Sequence, residues 1–383
     1  MSNTWKLSKN GLDALNAISA VAAECIEKRA QETDSQARFP IECIGALRDA
    51  GTFRLISSAD VGGRGEGLRA AAAAVERIAQ ECASTAMITT MHYCATAVLE
   101  KYAPESVRRS ISEGKTLATL AFSESGSRSH FWLPVSSAES TSEGIRLNAR
   151  KQLITAAGKA DIYVWSSRPA TADGLSSIWS VPSNSKGLSL AAPFDGLGLR
   201  GNCSAPIVAE DVIVPKENIL GEDGKGFDVM MSIVMPYFSI LNASVSLGMT
   251  EGVFRRTIQH VTSSKYSYDD SALSALPQVR GHVAKMRVKI DLLRGFLLDA
   301  LDALESSRED GMLRVLVAKV AGAETSLEVH DLAMRVSGGA AFRKDTAIER
   351  FFRDSRAATV MAPVSDALYD FIGKAVCGLP VFG

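Results

Sequence analysis

The spacing of apolar residues along the chain changes twice. From about Leu12 to Gly114 they recur every three or four positions, as in FPIECIGALRDAG, which predicts amphipathic helices. From about Leu117 to Val214, short alternating and β-branched runs such as APIVAEDVIVP lie between Gly, Ser and Asn turns, which predicts strands. Helical spacing then returns and continues to SDALYDFIGKAV. The sequence therefore predicts an α+β protein with a helical domain at 1–115, a β domain at 116–225 and a second helical domain at 226–383.

Prolines and glycines indicate where some of these helices begin and end. Pro40 suits the first turn of a helix, and Gly51 follows the apolar periodicity directly. Gly338 and Gly339 predict the end of a long helix in the last domain.

Charge and cysteine spacing argue against a nucleic-acid-binding protein and against a zinc protein. The 383 residues include 42 Lys and Arg against 43 Asp and Glu, so there is no basic surplus to bind nucleic acid. The six cysteines show no spacing typical of zinc ligands, and we expect reduced thiols, no metal site and a cytoplasmic location. They are Cys25, Cys43, Cys82, Cys94, Cys203 and Cys377.

One stretch is long and apolar enough to be a candidate membrane span. It runs from Val229 to Thr250 and carries no charge. Pro236 and Asn242 interrupt its apolar character, so we expect a buried helix and no membrane span. The N-terminus lacks the apolar core and cleavage site of a secretory signal.

Four segments together resemble the acyl-CoA dehydrogenase family. The longest is LGLRGNCSAPIVAEDVIVPKENILGEDGKGF, and the others are AFSESGSRS, LITAAGKAD and MRVSGGAAFRKDTAIERFFRDSRA. The resemblance extends from Phe39 to the C-terminus. It implies an N-terminal helical lobe, a central β-barrel-like domain and a C-terminal four-helix bundle. It also implies FAD rather than FMN as cofactor, a CoA thioester or another small molecule as substrate, and a homotetramer or at least a dimer.

The resemblance assigns several residues to the cofactor. Phe122 and Ser123 would meet the pyrimidine end of the isoalloxazine, and the Thr155 hydroxyl would lie near N5. The remaining assignments are Lys265, Gln278, Arg335, Gly338 and Gly339. The last three would approach the FAD diphosphate and adenosine from a neighbouring subunit, where a guanidinium suits a phosphate and glycines permit close approach. The alternative is that Ser123 and Thr155 only satisfy strand-end backbone groups and that the glycines only end a helix.

Three positions depart from the family around these cofactor residues. Leu153 stands where the family often has a Trp against the isoalloxazine. Ser264 stands where an Arg commonly bridges to the FAD phosphates, and Lys265 is the point charge that would replace it. The loop up to Gln278 is a few residues longer than usual.

The substrate side resembles the family but lacks its catalytic carboxylate. Ser129 matches a serine near the pantetheine arm, although an ordinary loop serine is an equal alternative. Dehydrogenation needs a base beside the substrate α-carbon, and Ala362 occupies that place with Pro363 after it. Some members carry the base on an earlier helix, but the matching residue here is Phe238, a candidate substrate contact, followed by Ser239.

A flavin site without its base resembles the oxygen-using branches of the family. His92 lies on the helix where some flavin monooxygenases of this fold carry a histidine, and an imidazole can supply a proton near neutral pH. The alternative is a buried helix histidine with a backbone partner. Tyr237 and Asp366 are further acid or base candidates. We expect an oxygen-using flavoenzyme; the alternatives are a dehydrogenase with a relocated base, at Asp366, Tyr237 or His92, and a non-catalytic paralogue that binds flavin or acyl-CoA.

Overall fold

The structure, a computed structural model, describes residues 3–381 and places all seven described strands between two sets of helices. The first set comprises α1 (Lys9–Val21), α2 (Glu27–Ser35), α3 (Ile41–Asp49), α4 (Leu68–Ala79), α5 (Ala83–Tyr102) and α6 (Glu105–Ser112). The second comprises α7 (Gly226–Val229), α8 (Met235–Ser263), α9 (Pro277–Glu305), α10 (Gly311–Ser337), α11 (Ile348–Ser355), α12 (Ala357–Val360) and α13 (Ser365–Val376). A π-helical turn at Ala22–Ile26 joins α1 to α2, and another at Met230–Val234 joins α7 to α8.

The strands form two open sheets, and the described residues do not form the barrel-like domain that the resemblance implied. They are β1 (Ala118–Ala121), β2 (Ser137–Ser140), β3 (Ile145–Ile154), β4 (Ile162–Ser167), β5 (Ser177–Pro182), β6 (Leu188–Leu190) and β7 (Ala205–Val214). One sheet has the order β1-β4-β5, and the other is antiparallel with the order β2-β3-β7-β6. Since β1 and β5 each have one neighbour, as do β2 and β6, neither sheet closes on itself.

The predicted helix ends agree with the structure. Helix α3 begins directly after Pro40, and Gly51 follows it with a φ of 77°. Helix α10 ends at Ser337, and Gly338 has a φ of 53°, a conformation in which a side chain would be strained. All six cysteines are free.

Helix α8 is the centre of the molecule and packs against helices of both sets. Glycine makes the contact with α4 possible: a Cβ at Gly248 would lie 2.2 Å from the carbonyl oxygen of Glu76, and one at Gly252 2.4 Å from that of Gln80. The helical stretch Gly226–Ser263 is long and apolar enough to cross a membrane, but 72% of its most apolar window is buried inside the protein. Its apolar character is therefore that of a core helix, as expected.

Candidate functional site

The predicted flavin residues of the β domain lie together because β1 continues towards the end of β3. The backbone N–H of Gln152 donates to the carbonyl oxygen of Ser123 at 2.8 Å. The Thr119 hydroxyl donates to the carbonyl oxygen of Thr155 at 3.0 Å. These two bonds join the segment of Phe122 and Ser123 to that of Thr155, and they use backbone carbonyls, not the Ser123 or Thr155 hydroxyls.

A β-bulge shapes the end of β3. Lys151 pairs with Ile207 and Ile154 with Ala205, so β3 holds one extra residue between these pairs. Leu153 lies in the bulge with a φ of 54° and its side chain is 57% exposed. Bulges often re-aim side chains beside active sites. Here the bulge presents apolar surface two residues before Thr155.

This end of the sheet fits the isoalloxazine of FAD. A flavin needs an apolar slot with a few polar groups for its heteroatoms. Leu190 and Phe194, which lie at the same end of the sheet, are exposed like Leu153. Ser123 is half-buried and Thr155 buried beside them. When FAD is bound, it supplies hydride and electron transfer; these residues of the chain would hold its ring.

The remaining predicted cofactor residues lie in the C-terminal helices. Gln278 is exposed in the first turn of α9, and Arg335 is exposed in the last turn of α10. A Cβ added at Gly338 or Gly339 would meet nothing within 4 Å, so the backbone there is open to approach. Lys265 is exposed, and its Nζ lies 2.7 Å from Oδ2 of Asp270. This ion pair would have to open before Lys265 could contact a phosphate.

His92 is fully buried in α5 with both ring nitrogens engaged by backbone groups. Nε2 lies 3.2 Å from the carbonyl oxygen of Phe53, and Nδ1 accepts a hydrogen bond of 3.2 Å from the N–H of Ala118. The neutral ring therefore carries its proton on Nε2. Burial lowers the pKa of His92 to about 4, although the bond to Phe53 opposes the shift. The geometry favours the interpretation as a buried helix histidine over a proton donor to flavin or substrate.

The other acid and base candidates differ in their surroundings. Tyr237 is half-buried in α8, where burial and the Cys94 thiol raise the pKa of its phenol to about 12, so it is protonated at neutral pH. Phe238 is half-buried next to it, and Ser239 is fully buried with its hydroxyl 3.6 Å from Sδ of Met235. Asp366 is exposed in the first turn of α13.

The segment that carries Ala362 is held by a buried lysine that sequence reasoning missed. Lys319 of α10 is fully buried, and its Nζ donates to the carbonyl oxygens of Ala358 at 3.3 Å, Met361 at 3.0 Å and Pro363 at 2.8 Å. Burial lowers the pKa of Lys319 to about 7. One signal could have identified it, because a single lysine interrupts the apolar run VLVAKVAGA.

A second group missed by sequence reasoning is the buried carboxyl of Asp354. Its Oδ1 accepts a hydrogen bond of 2.6 Å from the N–H of Leu199, and burial raises its pKa to about 6. Asp354, Asn242 and Met361 line a cavity of about 10 Å³, which is room for about one water molecule and too small for a substrate.

Ser129 lies half-buried in the loop between β1 and β2. This loop also contacts the C-terminal helices, since the ring of Trp132 lies 5.8 Å from that of Phe371 in α13. Phe131 stacks on Phe122 with ring centroids 6.2 Å apart. We call Phe122, Ser123, Leu153 and Thr155, which would hold the flavin ring, the flavin wall. The loop therefore connects this part of the β domain to the last helix. Within residues 3–381 no group of three or more His, Cys, Asp or Glu side chains could hold a metal ion.

A β domain between two sets of helices is the architecture of the acyl-CoA dehydrogenase class of FAD-dependent oxidoreductases. Sequence models of the N-terminal, middle and C-terminal domains of acyl-CoA dehydrogenase match residues 12–113, 119–212 and 224–377. The chain belongs to this family, and FAD is the family's cofactor.

Known proteins that are similar to this chain differ in their named activities. The chain is 27% identical over 348 residues to cyclohex-1-ene-1-carbonyl-CoA dehydrogenase of Syntrophus aciditrophicus, which covers 88% of this chain and 82% of the relative. PigA, solved with FAD and proline, has a TM-score of 0.88 and 18% identity over 97% of this chain and 98% of its own. The prolyl acyl carrier protein oxidase AnaB has a TM-score of 0.87 and 18% identity over 97% and 99%. At these identities the two structures show the fold alone.

Proposed function

We propose that the protein is an oxygen-using FAD enzyme that acts on a CoA thioester or another small acyl or aromatic substrate in specialised metabolism. The observation that carries the proposal is the segment around Ala362. The family's dehydrogenation requires a carboxylate there, and the side chains of Ala362 and Pro363 cannot accept a proton. The residues that the resemblance assigns to the isoalloxazine, Phe122, Ser123 and Thr155, are nevertheless present, which supports a site that lacks the base but keeps the cofactor.

Other groups near the segment do not replace the base. Lys319 directs its ammonium to three backbone carbonyls, and the Asp354 carboxyl faces a cavity with room for about one water molecule. Tyr237 is a neutral phenol at pH 7, and Asp366 is exposed. Oxygen chemistry on a reduced flavin does not require a base at the substrate α-carbon, which supports the proposal.

A dehydrogenase with a relocated base is the second candidate. The name of the Syntrophus relative favours it, and Asp354 is the buried carboxyl whose raised pKa would suit proton abstraction if the cavity opened. A non-catalytic flavin-binding subunit is the third. In all three, Phe122, Ser123 and Thr155 would hold the isoalloxazine, and Ser129 and Phe238 would contact substrate.

Two rapid-mixing experiments separate these candidates. In the first, FAD-loaded protein is photoreduced without oxygen and mixed with aerated buffer, with free reduced FAD as the reference. In the second, the oxidised protein is mixed anaerobically with saturated acyl-CoA thioesters such as butyryl-CoA. We expect oxygen to reoxidise the flavin and acyl-CoA to leave its absorption unchanged. Bleaching by acyl-CoA would overturn the proposal in favour of a dehydrogenase, and inertness in both experiments would favour the non-catalytic subunit.

We also propose a homo-oligomer, a tetramer or at least a dimer. Gly338 and Gly339, whose backbone is open, and the exposed Arg335 lie at the end of α10, as expected if they serve a neighbour's FAD. Phe342 and Val360 are exposed on the same helical domain. Light scattering of the FAD-loaded protein tests this proposal, because a monomer that still binds FAD tightly would contradict it. The cytoplasm remains the proposed location.

A further inference from the structure

The β domain contains a buried ion pair that the flavin site does not explain. Lys151 is fully buried, and its Nζ lies 2.6 Å from Oε1 of Glu124. The same ammonium donates to the carbonyl oxygen of Ser166 at 2.6 Å and to its hydroxyl at 3.0 Å. The three acceptors are supplied by two different segments, so Lys151 joins the end of β3 to β4 and to the loop after β1.

The second oxygen of Glu124 closes that loop. Oε2 accepts hydrogen bonds from the N–H groups of Val135, at 2.7 Å, and Ser136, at 3.1 Å. One carboxylate therefore binds Lys151 with one oxygen and the far end of its own loop with the other. The loop that it closes, 125–134, carries Ser129 and the two aromatic residues that contact Phe122 and α13.

The pair also lies directly beside the flavin wall. Glu124 and Lys151 form an isolated antiparallel bridge, and the next residues along, Ser123 and Gln152, share the backbone hydrogen bond of 2.8 Å. Leu153 of the bulge follows at once. A shift of either charged residue would therefore displace the segments that hold Ser123 and the bulge.

The pair is ionised near neutral pH. Burial alone would raise the pKa of Glu124, but the charge and hydrogen bond of Lys151 lower it overall. Burial lowers the pKa of Lys151 to about 8, against the opposing effect of Glu124. Buried ion pairs seldom stabilise a fold more than well-packed apolar residues do, although removing one partner is strongly destabilising. A role in fixing geometry explains such a pair better than a role in stability.

We propose that Glu124 and Lys151 are positioning residues of the flavin site, which fix Ser123 beside the β3 bulge and hold the Ser129 loop closed over it. The proposal rests on the assignment of Ser123, Ser129 and Thr155 under the proposed function, and it does not depend on whether oxygen is the electron acceptor.

The test compares Glu124→Gln and Lys151→Met with the control Glu139→Gln. The control removes an exposed ion pair of the same sheet, between Glu139 of β2 and Arg146 of β3. Three quantities are measured: the Kd for FAD by flavin fluorescence, the visible spectrum of the bound flavin, and hydrogen exchange of amides in 125–134. We expect both site variants to weaken FAD binding by about tenfold or more, to alter the flavin band and to expose the loop. The control should stay within about twofold, because exposed pairs contribute little.

Glu124→Asp keeps the experiment decisive if the other variants fail to fold. Aspartate preserves the charge that compensates Lys151, but its shorter side chain cannot reach both the ammonium and the N–H groups of Val135 and Ser136. We expect this variant to fold, with a melting temperature without FAD that falls less than in Glu124→Gln because the charge is kept, yet to lose loop protection and FAD affinity. Wild-type affinity and spectrum in Glu124→Asp would overturn the proposal.

A separate pair of variants tests the assignment on which the proposal rests. If Ser123→Ala and Thr155→Val bind FAD as the wild type does and leave its spectrum unchanged, the assignment of the flavin wall is wrong. If they weaken FAD binding while the Glu124 variants do not, the assignment of Ser123 and Thr155 to the flavin is kept. Only the positioning role proposed for Glu124 and Lys151 is then wrong.

Discussion

Replacing His92 by Leu should destabilise the protein without abolishing its flavin chemistry. The substitution leaves two fully buried backbone groups, the carbonyl of Phe53 and the N–H of Ala118, without their partners at 3.2 Å. A buried polar group that loses its hydrogen bond costs about 1–3 kcal/mol, so the two together amount to about 2–6 kcal/mol. This expected loss arises from the fold and not from the reaction.

Two further substitutions restore one of these bonds each. In His92→Asn the amide oxygen lies near the place of Nδ1 and can accept from Ala118, whereas in His92→Gln the amide nitrogen can donate to Phe53. We expect the free energy of unfolding to decrease from wild type to Asn and Gln and further to Leu. Chemical denaturation at fixed protein and FAD concentrations measures the series, and reoxidation of the photoreduced flavin by oxygen measures chemistry per folded molecule.

The pH dependence provides an independent check. The pKa of His92 is about 4 in the folded protein and about 6.5 unfolded, so the unfolded state binds more protons between these values. Stability is thus full above pH 6.5 and falls as the pH decreases towards 4, by about 3 kcal/mol for this residue. In the Leu variant, the free energy of unfolding should not show the part of this decrease that protonation of His92 causes. His330, whose pKa burial also lowers to about 4, retains its own share in both proteins.

The opposite result would refute this reasoning. If His92→Leu unfolds like the wild type but loses its oxygen reaction by about 10²–10⁴-fold, the histidine acts in general acid or base catalysis and not as a structural residue.

Three other predictions concern the cofactor and the segment around Ala362. FAD at about 100 times its Kd should add about 2.7 kcal/mol of stability, seen as a rise in melting temperature of flavin-free protein; no rise would count against FAD. Ala362→Glu should not reduce its flavin with butyryl-CoA any faster than the uncharged control Ala362→Gln, because Pro363 changes the backbone beside the new carboxylate, Ser239 supplies no cation to it, and the Lys319 ammonium is already bound by backbone carbonyls. The pKa of Lys319 is about 7 folded and about 10.4 unfolded, so stability should rise between these values by up to about 1.4 kcal/mol per pH unit. Lys319→Met should lack this rise in urea titrations at pH 7 and 9, and an equal rise in both proteins would show that Lys319 is not its source.

The features that the sequence predicts correctly are those set by neighbouring residues. Apolar spacing defines α13, which spans Ser365–Val376 as the segment SDALYDFIGKAV indicates. Pro40 and Gly51 define α3 in the same way, because each lies next to the end of the helix that it predicts. The motif residues Phe122 and Ser123 follow β1 directly and Thr155 follows β3 directly, and hydrogen bonds between these two segments bring them together.

The features that the sequence does not reveal depend on contacts between distant segments. Apolar periodicity identifies the buried face of a helix, but it does not identify what lies against that face. His92 is a candidate because of its residue type and its place on a helix that resembles that of some flavin monooxygenases, whereas its hydrogen-bond partners, Phe53 and Ala118, lie 39 and 26 residues away. The sequence does not distinguish open sheets from a barrel either, because strands with alternating apolar residues fit both equally well.

The flavin wall and the segment around Ala362 can change independently because different contacts hold each of them in place. The flavin wall depends on the β3 bulge and on backbone bonds within the β domain. The segment of Ala362 is held by Lys319, which binds the carbonyls of Ala358, Met361 and Pro363 and no side chain of the segment. Hydrogen bonds to the backbone do not depend on the side chain at position 362. A carboxylate there could therefore be lost without changing how the segment is held. The fold therefore permits the reaction to change while the cofactor stays, which is the physical basis for proposing oxygen chemistry on a dehydrogenase scaffold.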